Sequence, residues 1–125
     1  MIVGTGIDIA EVQRIRKAIE RHGERFLKRV FTDGEIQYCE SKANRAERYA
    51  ARFAAKEAGM KAIGTGWNHG VRWRDFEVAR RPGGRPILLL HGKAAEFAAT
   101  LGATNVTLSL THTARQAMAQ VILES

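Results

Sequence analysis

A single cysteine, Cys39, excludes an intrachain disulfide and makes a reducing compartment the simplest setting. No apolar run approaches the ~20 residues that a membrane-spanning helix needs. The apolar start, Met1 to Ala10, is interrupted by Asp8 and carries neither a basic leader nor a small-residue cleavage site. A cytoplasmic protein with no membrane partner is expected. Aromatic side chains are scarce, five Phe, two Trp and two Tyr, and most fall on faces expected to be buried. That argues against the base-stacking surface of a nucleic-acid binder. Internal repeats, low-complexity tracts, a Walker phosphate loop and a serine-hydrolase elbow are all missing. With one cysteine and scattered His22, His69, His91 and His112, a zinc site has no support. Acids are also in short supply. Thirteen Asp and Glu face twenty Lys and Arg, a net charge of +7 that favours acidic or phosphorylated partners. The 125 residues, 45% of them hydrophobic, suit one domain spanning 1–125 with its own core.

The hydrophobic pattern predicts an α+β domain in the order β-α-α-α-β-β-α-β-β, with antiparallel later strands. Residues 2–9 read as a strand with Val3, Thr5, Ile7 and Ile9 on one face. Gly4, Gly6 and Asp8 fall on the other, leaving room for a ligand or a second backbone. A helix is expected from about 9 to 21, with a short segment at 24–30. Val12, Ile15, Ile19 and Phe26 form its apolar stripe, and Arg14, Lys17, Arg21, Arg25 and Lys28 form a basic ridge. Thr32 and Glu35 have the spacing of a capping box, with Phe31 and Ile36 as a hydrophobic staple. Asn44 and Glu47 suggest a cap for a long helix running to Ile63, stopped by Gly64. Strands are expected at 73–80 and 86–91 around the turn Pro82-Gly83-Gly84, the second too apolar to face solvent. A helix at 92–101 and a hairpin of strands 105–111 and 116–123 complete the chain.

The most informative stretch runs from Arg52 to Gly66, where Glu57 sits among cations just before a glycine-rich turn. Two readings stand for each acid. Asp8, three residues before Glu11, has the spacing of a helix cap, or it is a metal ligand. Glu57 either pairs with Lys61 on a helix surface or, above Phe53, is a partly buried carboxylate that needs a cation. Two carboxylates from separate elements suit Mg²⁺, which fills its remaining positions with water and substrate phosphate. Gly64-Thr65-Gly66 follows a helix instead of preceding one, so a helix stop is its simplest meaning.

Taken in order, several motifs resemble those of the holo-[acyl-carrier-protein] synthases, the small stand-alone 4′-phosphopantetheinyl transferases. They are Gly6-Ile7-Asp8-Ile9 with Glu11 and Arg14-Ile15, Arg52-Phe53-Ala54-Ala55-Lys56-Glu57-Ala58 through Lys61 to Gly66, Gly84-Arg85-Pro86, and Val106 to His112. The resemblance implies a phosphopantetheinyl transferase-like fold, a long helix on a small, largely antiparallel sheet. It implies Mg²⁺-dependent transfer of the 4′-phosphopantetheine arm of coenzyme A to a serine of apo acyl carrier protein, releasing adenosine 3′,5′-bisphosphate, in fatty acid biosynthesis. On this reading Asp8 and Glu57 hold Mg²⁺, and Lys61 stabilises the leaving phosphate. Arg52, Gly64, Pro86 and His112 line the coenzyme A site. Arg14, Arg21 and Arg25 dock the acidic carrier. The base for the serine proton is either Glu57 or a metal-held water. The resemblance also implies a homotrimer with active sites between subunits, which would cover the glycine face of the first strand. The stretch Arg115 to Ala119 lacks the tyrosine often found there in the family.

Overall fold

A computed structural model describes residues 1–125. Its elements are β1 (Ile2–Glu11), α1 (Val12–His22), α2 (Glu24–Val30), α3 (Asp33–Glu40) and α4 (Arg45–Ile63), then β2 (Phe76–Arg80), β3 (Pro86–Leu90), α5 (Gly92–Thr100), β4 (Asn105–His112) and β5 (Gln116–Glu124). The class is α+β, as expected. Strands β1, β5 and β4 form one antiparallel sheet in that order, and β2 and β3 form a second ladder. The long helix α4 lies on the first sheet and reaches the second.

Four helices precede β2, one more than the expected order allows. Gly23, at φ 53, breaks α1 from α2 in a conformation that a side chain would oppose. Helix α1 also starts at Val12, not near residue 9. Pairing with β5 carries β1 through Glu11, opposite Gln116. The Val12 amide then donates to the Arg115 carbonyl of the β4–β5 turn at 2.9 Å. One helix-start amide is thereby satisfied from across the sheet, and no side chain caps α1. Asp8 is therefore no cap; it sits inside the strand.

Thr32 and Glu35 do form a reciprocal capping box, at 3.3 and 2.8 Å. Asn44 precedes α4, but its side chain accepts from Arg48 Nε at 3.2 Å and caps no amide. Gly64 closes α4 in the left-handed conformation, φ 79. Residues 73–75 form a 3-10 turn where strand was expected, because the Asp75 carboxylate takes the Arg72 amide at 3.0 Å and coils the backbone. In β3, Leu88 is buried whereas Leu89 is 39% exposed, so one side of that strand does face solvent.

Of the two occupants expected on the glycine face of β1, a ligand or a second backbone, the structure places the second, the backbone of α4, so no neighbouring subunit is needed to cover that face. A Cβ on Gly4 or Gly6 would collide with the Ala62 or Ala58 carbonyl of α4, so these glycines let helix and strand backbones touch. The face left open in the single chain is the apolar one, with Ile7 53% and Ile9 51% exposed. Gly59 makes a similar close seat on the far side of α4, against the Phe76 ring.

At the end of α3, the Glu40 carboxylate accepts from Arg45 Nε and from the Tyr49 hydroxyl at 2.7 Å. The Arg45 bond, then the Tyr49 bond, holds Glu40 below the usual glutamate value of 4.5. Its stabilisation is present in full above that value and is lost as pH falls through the lowered folded-state value. Thermal melts should show wild type and Glu40→Gln separated at neutral pH and converging in acid.

Candidate active site

The glycine seat on β1 determines what meets at its end. With α4 pressed onto the strand, Lys61 Nζ donates to Asp8 Oδ1 and to the Ile7 carbonyl, each at 3.0 Å. Glu57 lies one turn before Lys61 on the same helix face. Its carboxylate has neither a hydrogen bond nor an ion pair among the contacts of the chain. Burial first, and then the charge of Asp8, push the Glu57 carboxyl above its ordinary value, while Lys61 and Arg14 pull it back. Two carboxylates converge from distant elements with one of them unpartnered. A hard divalent cation would relieve that repulsion. No cluster of three or more His, Cys, Asp or Glu exists in the chain, so the pair Asp8 and Glu57 is its candidate for a metal.

A groove of roughly 190 Å³ opens beside Glu57, lined by Arg14 and Ile15 of α1, Phe26 of α2, and Phe53 and Glu57 of α4. Residues Phe26 and Phe53 read as core in the sequence, yet they are only partly buried. For Phe26 the signal in the sequence was its position beside Arg25 of the basic ridge; for Phe53, in α4, it was its place one turn before Glu57. Arg14, Arg21 and Arg25 are exposed on the outer side of α1 and α2. Arg25 and Phe26 also border a shallow depression with His22 and Arg29.

The remaining expected site residues fall in two other places. Arg52 is buried, with its guanidinium 4.2 Å from the Tyr38 ring, which Arg80 also approaches at 5.1 Å. Its Nη1 donates to the Arg48 carbonyl at 3.4 Å, and its Nε has no partner. Pro86 sits opposite Arg80 in the β2–β3 ladder, so Arg52 and Pro86 share one neighbourhood. His112, at the end of β4, meets Glu47 at 3.0 Å. Ten residues of helix separate Glu47 from Glu57, about 15 Å along the axis. Gly64 stays with the carboxylate pair, since its amide donates to the Lys61 carbonyl at 3.1 Å. One chain thus gathers Asp8, Glu57, Lys61, Gly64 and Arg14, and it leaves Arg52 with Pro86, and His112, elsewhere.

The family model for the 4′-phosphopantetheinyl transferase superfamily matches residues 4–119. The chain belongs to this family, as one of its holo-[acyl-carrier-protein] synthases. It is 67% identical over 125 residues to the holo-[acyl-carrier-protein] synthase of Solibacter usitatus, covering 100% of both chains. The crystal structure of the Neisseria meningitidis synthase superposes with a TM-score of 0.90 at 30% identity, again over 100% of each chain. The Bacillus anthracis synthase, solved in complex with CoA (3′,5′-ADP), gives a TM-score of 0.81 at 38% identity, over 100% of this chain and 98% of that one. Like those synthases, this chain is a transferase enzyme, and the long helix on a small antiparallel sheet is the family's fold.

Proposed function

We propose that this chain, acting as one phosphopantetheinyl transferase domain, moves the 4′-phosphopantetheine arm of coenzyme A to a serine of apo acyl carrier protein. The reaction uses Mg²⁺, releases adenosine 3′,5′-bisphosphate and serves fatty acid biosynthesis in the cytoplasm. The observation that carries this reading is the convergence of Asp8 and an unpartnered Glu57 beside Lys61. Mg²⁺ held by Asp8 and Glu57 would neutralise pyrophosphate charge. Lys61, pinned at Asp8 and Ile7, presents a fixed ammonium for charge growing on the leaving phosphate. Glu57 has a carboxylate free of protein donors and is the group best placed to accept the serine proton. Arg52, Gly64, Pro86 and His112 are proposed to contact coenzyme A. The lone thiol, Cys39, is buried and pushed up to about 12 by desolvation, which keeps it protonated and unreactive. No helix is long and apolar enough to cross a membrane.

The test is a mass measurement. Apo carrier protein with coenzyme A, Mg²⁺ and this enzyme should gain the mass of one phosphopantetheine arm, and no gain with several carriers would overturn the reading.

Docking of the carrier is assigned to Arg14, Arg21 and Arg25. The groove walled by Arg14, Ile15, Phe26 and Phe53 opens at Glu57, so a carrier lying on α1 would deliver its serine there. Charge of this kind mainly sets encounter rate and orientation. Arg14→Glu should weaken carrier binding at least tenfold, leave coenzyme A binding unchanged, and lose its effect at high salt. Surface plasmon resonance with each ligand separates the two.

A homotrimer with sites between subunits fits two features. The open apolar face of β1 continues across β5, where Met118, opposite Ile9, is also exposed. The expected coenzyme A contacts lie at opposite ends of α4, so neighbouring copies could supply them to one ligand. Sedimentation should give a trimer for wild type and a smaller species for Ile7→Glu.

A further inference from the structure

A second charged pair lies on the opposite side of α4. The ammonium of Lys56 and the carboxylate of Glu35 meet at 2.8 Å, and both side chains are 0% exposed. Every strong acceptor near the ammonium is engaged. Lys56 Nζ also donates to the Trp73 carbonyl at 3.3 Å and to the Phe76 carbonyl. Glu35 Oε1 accepts the Thr32 amide at 2.8 Å, and Oε2 accepts the Val78 amide at 2.8 Å. One buried hub therefore ties the start of α3, the middle of α4, the 73–75 turn and β2. A buried pair of this kind contributes little net stability compared with apolar residues of the same size, so its presence calls for another reason.

The hub touches the site along two routes. Lys56 directly precedes Glu57 in α4, so fixing the azimuth of one side chain fixes that of the next, about 100° around the helix. The Trp73 whose carbonyl Lys56 holds stacks its ring on Phe53, with centroids 4.9 Å apart and planes 23° apart. Phe53 is the groove wall beside Glu57. On the other side of the helix, the glycine seats at Gly4 and Gly6 permit close contact but offer no directional bond. On that side the exposed Lys61 bonds α4 to Asp8 and Ile7 of β1, and the fully buried Lys56 hub supplies a second, solvent-shielded hold on the rotation of α4.

We infer that Lys56, through its buried pairing with Glu35, is a positioning residue that holds α4 at the rotation which brings Glu57 to Asp8. This rests on the proposed metal site. Lys56 itself touches neither metal nor substrate. Its effect is on the geometry of the two carboxylates and on the Phe53 wall, and so on metal affinity more than on coenzyme A affinity.

The experiment is a Mn²⁺ titration of the coenzyme A-bound enzyme, followed by electron paramagnetic resonance of free Mn²⁺. The double variant Glu35→Gln with Lys56→Met removes both charges, so that no lone charge stays buried. It should bind Mn²⁺ about tenfold more weakly, in the range seen when supporting partners of metal ligands are lost. Coenzyme A affinity without metal should stay within about twofold of wild type. Leu108→Val, a core change in β4, serves as the control for general loosening and should keep native Mn²⁺ affinity. Should the double variant fail to fold, Glu35→Gln alone carries the test, with weakening of about threefold expected. Native Mn²⁺ affinity in whichever of these variants folds overturns the inference, as does equal weakening in Leu108→Val. Asp8→Asn is titrated alongside. If Mn²⁺ affinity is indifferent to Asp8, the metal-site reading itself fails; if it depends on Asp8 but not on the buried pair, only the positioning role fails.

Discussion

Alanine at Glu57 should lower transfer by on the order of 10²–10³-fold, the scale on which losing one preorganised charge partner acts in other active sites. The same loss is expected for Asp8→Ala, by a different route. Removing Glu57 leaves Lys61 anchored on Asp8 and Ile7, so the ammonium stays in place while the proposed metal site loses a ligand and the serine its proposed base. Removing Asp8 takes away a ligand and also one of the two anchors of Lys61, and it relieves the repulsion that raises Glu57. Excess Mg²⁺ should therefore recover part of the activity of Asp8→Ala, where Lys61 keeps its Ile7 anchor, and less of that of Glu57→Ala, which has also lost the proposed base. Steady-state rates against Mg²⁺ concentration decide the matter, and near-wild-type rates in either variant would remove that residue from the site.

A methyl group at Gly6 should be nearly as damaging, although Gly6 touches no substrate. Its Cβ would meet the Ala58 carbonyl oxygen, a backbone atom that cannot swing aside like a flexible side chain. Strand and helix must separate. Overpacking of this kind costs about 1–3 kcal/mol or more, out of a total stability of about 5–15 kcal/mol for a typical domain. A fall in melting temperature on the order of 10 °C is expected. Separation would also draw Asp8 from Lys61, so activity should fall further than the folded fraction alone accounts for. Calorimetry and rates on the same preparation test both parts. Gly23→Ala makes a useful contrast, because a Cβ there meets nothing and only the positive φ opposes it.

Local features were legible in the sequence. Thr32 with Glu35, and Gly64 at the end of α4, involve bonds within a few residues, so spacing alone reveals them. The α+β class and the long helix followed from periodicity. Features that depend on distant chain were left open or misread. Local spacing left Asp8 open between a cap and a metal ligand, because nothing near it tells that β5 extends β1 to Glu11 and that the Arg115 carbonyl receives the first helical amide. The glycine face left a ligand and a second backbone both open, because the strand does not say which helix will lie on it. Lys56 and Lys61 read as helix-surface cations around Glu57. In the fold Lys56 pairs with Glu35 and Lys61 with Asp8. One signal for Lys56 was present. Ala50, Ala51, Ala54, Ala55, Ala58 and Ala62 surround α4 with small residues, and a helix packed on most sides buries whatever lysine points inward. The family motifs located Asp8 and Glu57 together because they encode a meeting that periodicity cannot.

The pairing of β1 with β5 has a consequence for how the chain is made. During synthesis β1 emerges early, and its only strand partner is the last element to follow. Until then the backbone edge of β1 that meets β5 has nothing to pair with, and α4 lacks most of the sheet it lies on. Completion of the sheet, and with it of the Asp8–Lys61 contact across 53 residues of sequence, must wait for β5 to emerge. A ribosome stalled before β5 would therefore carry a chain without the completed sheet and without a working site.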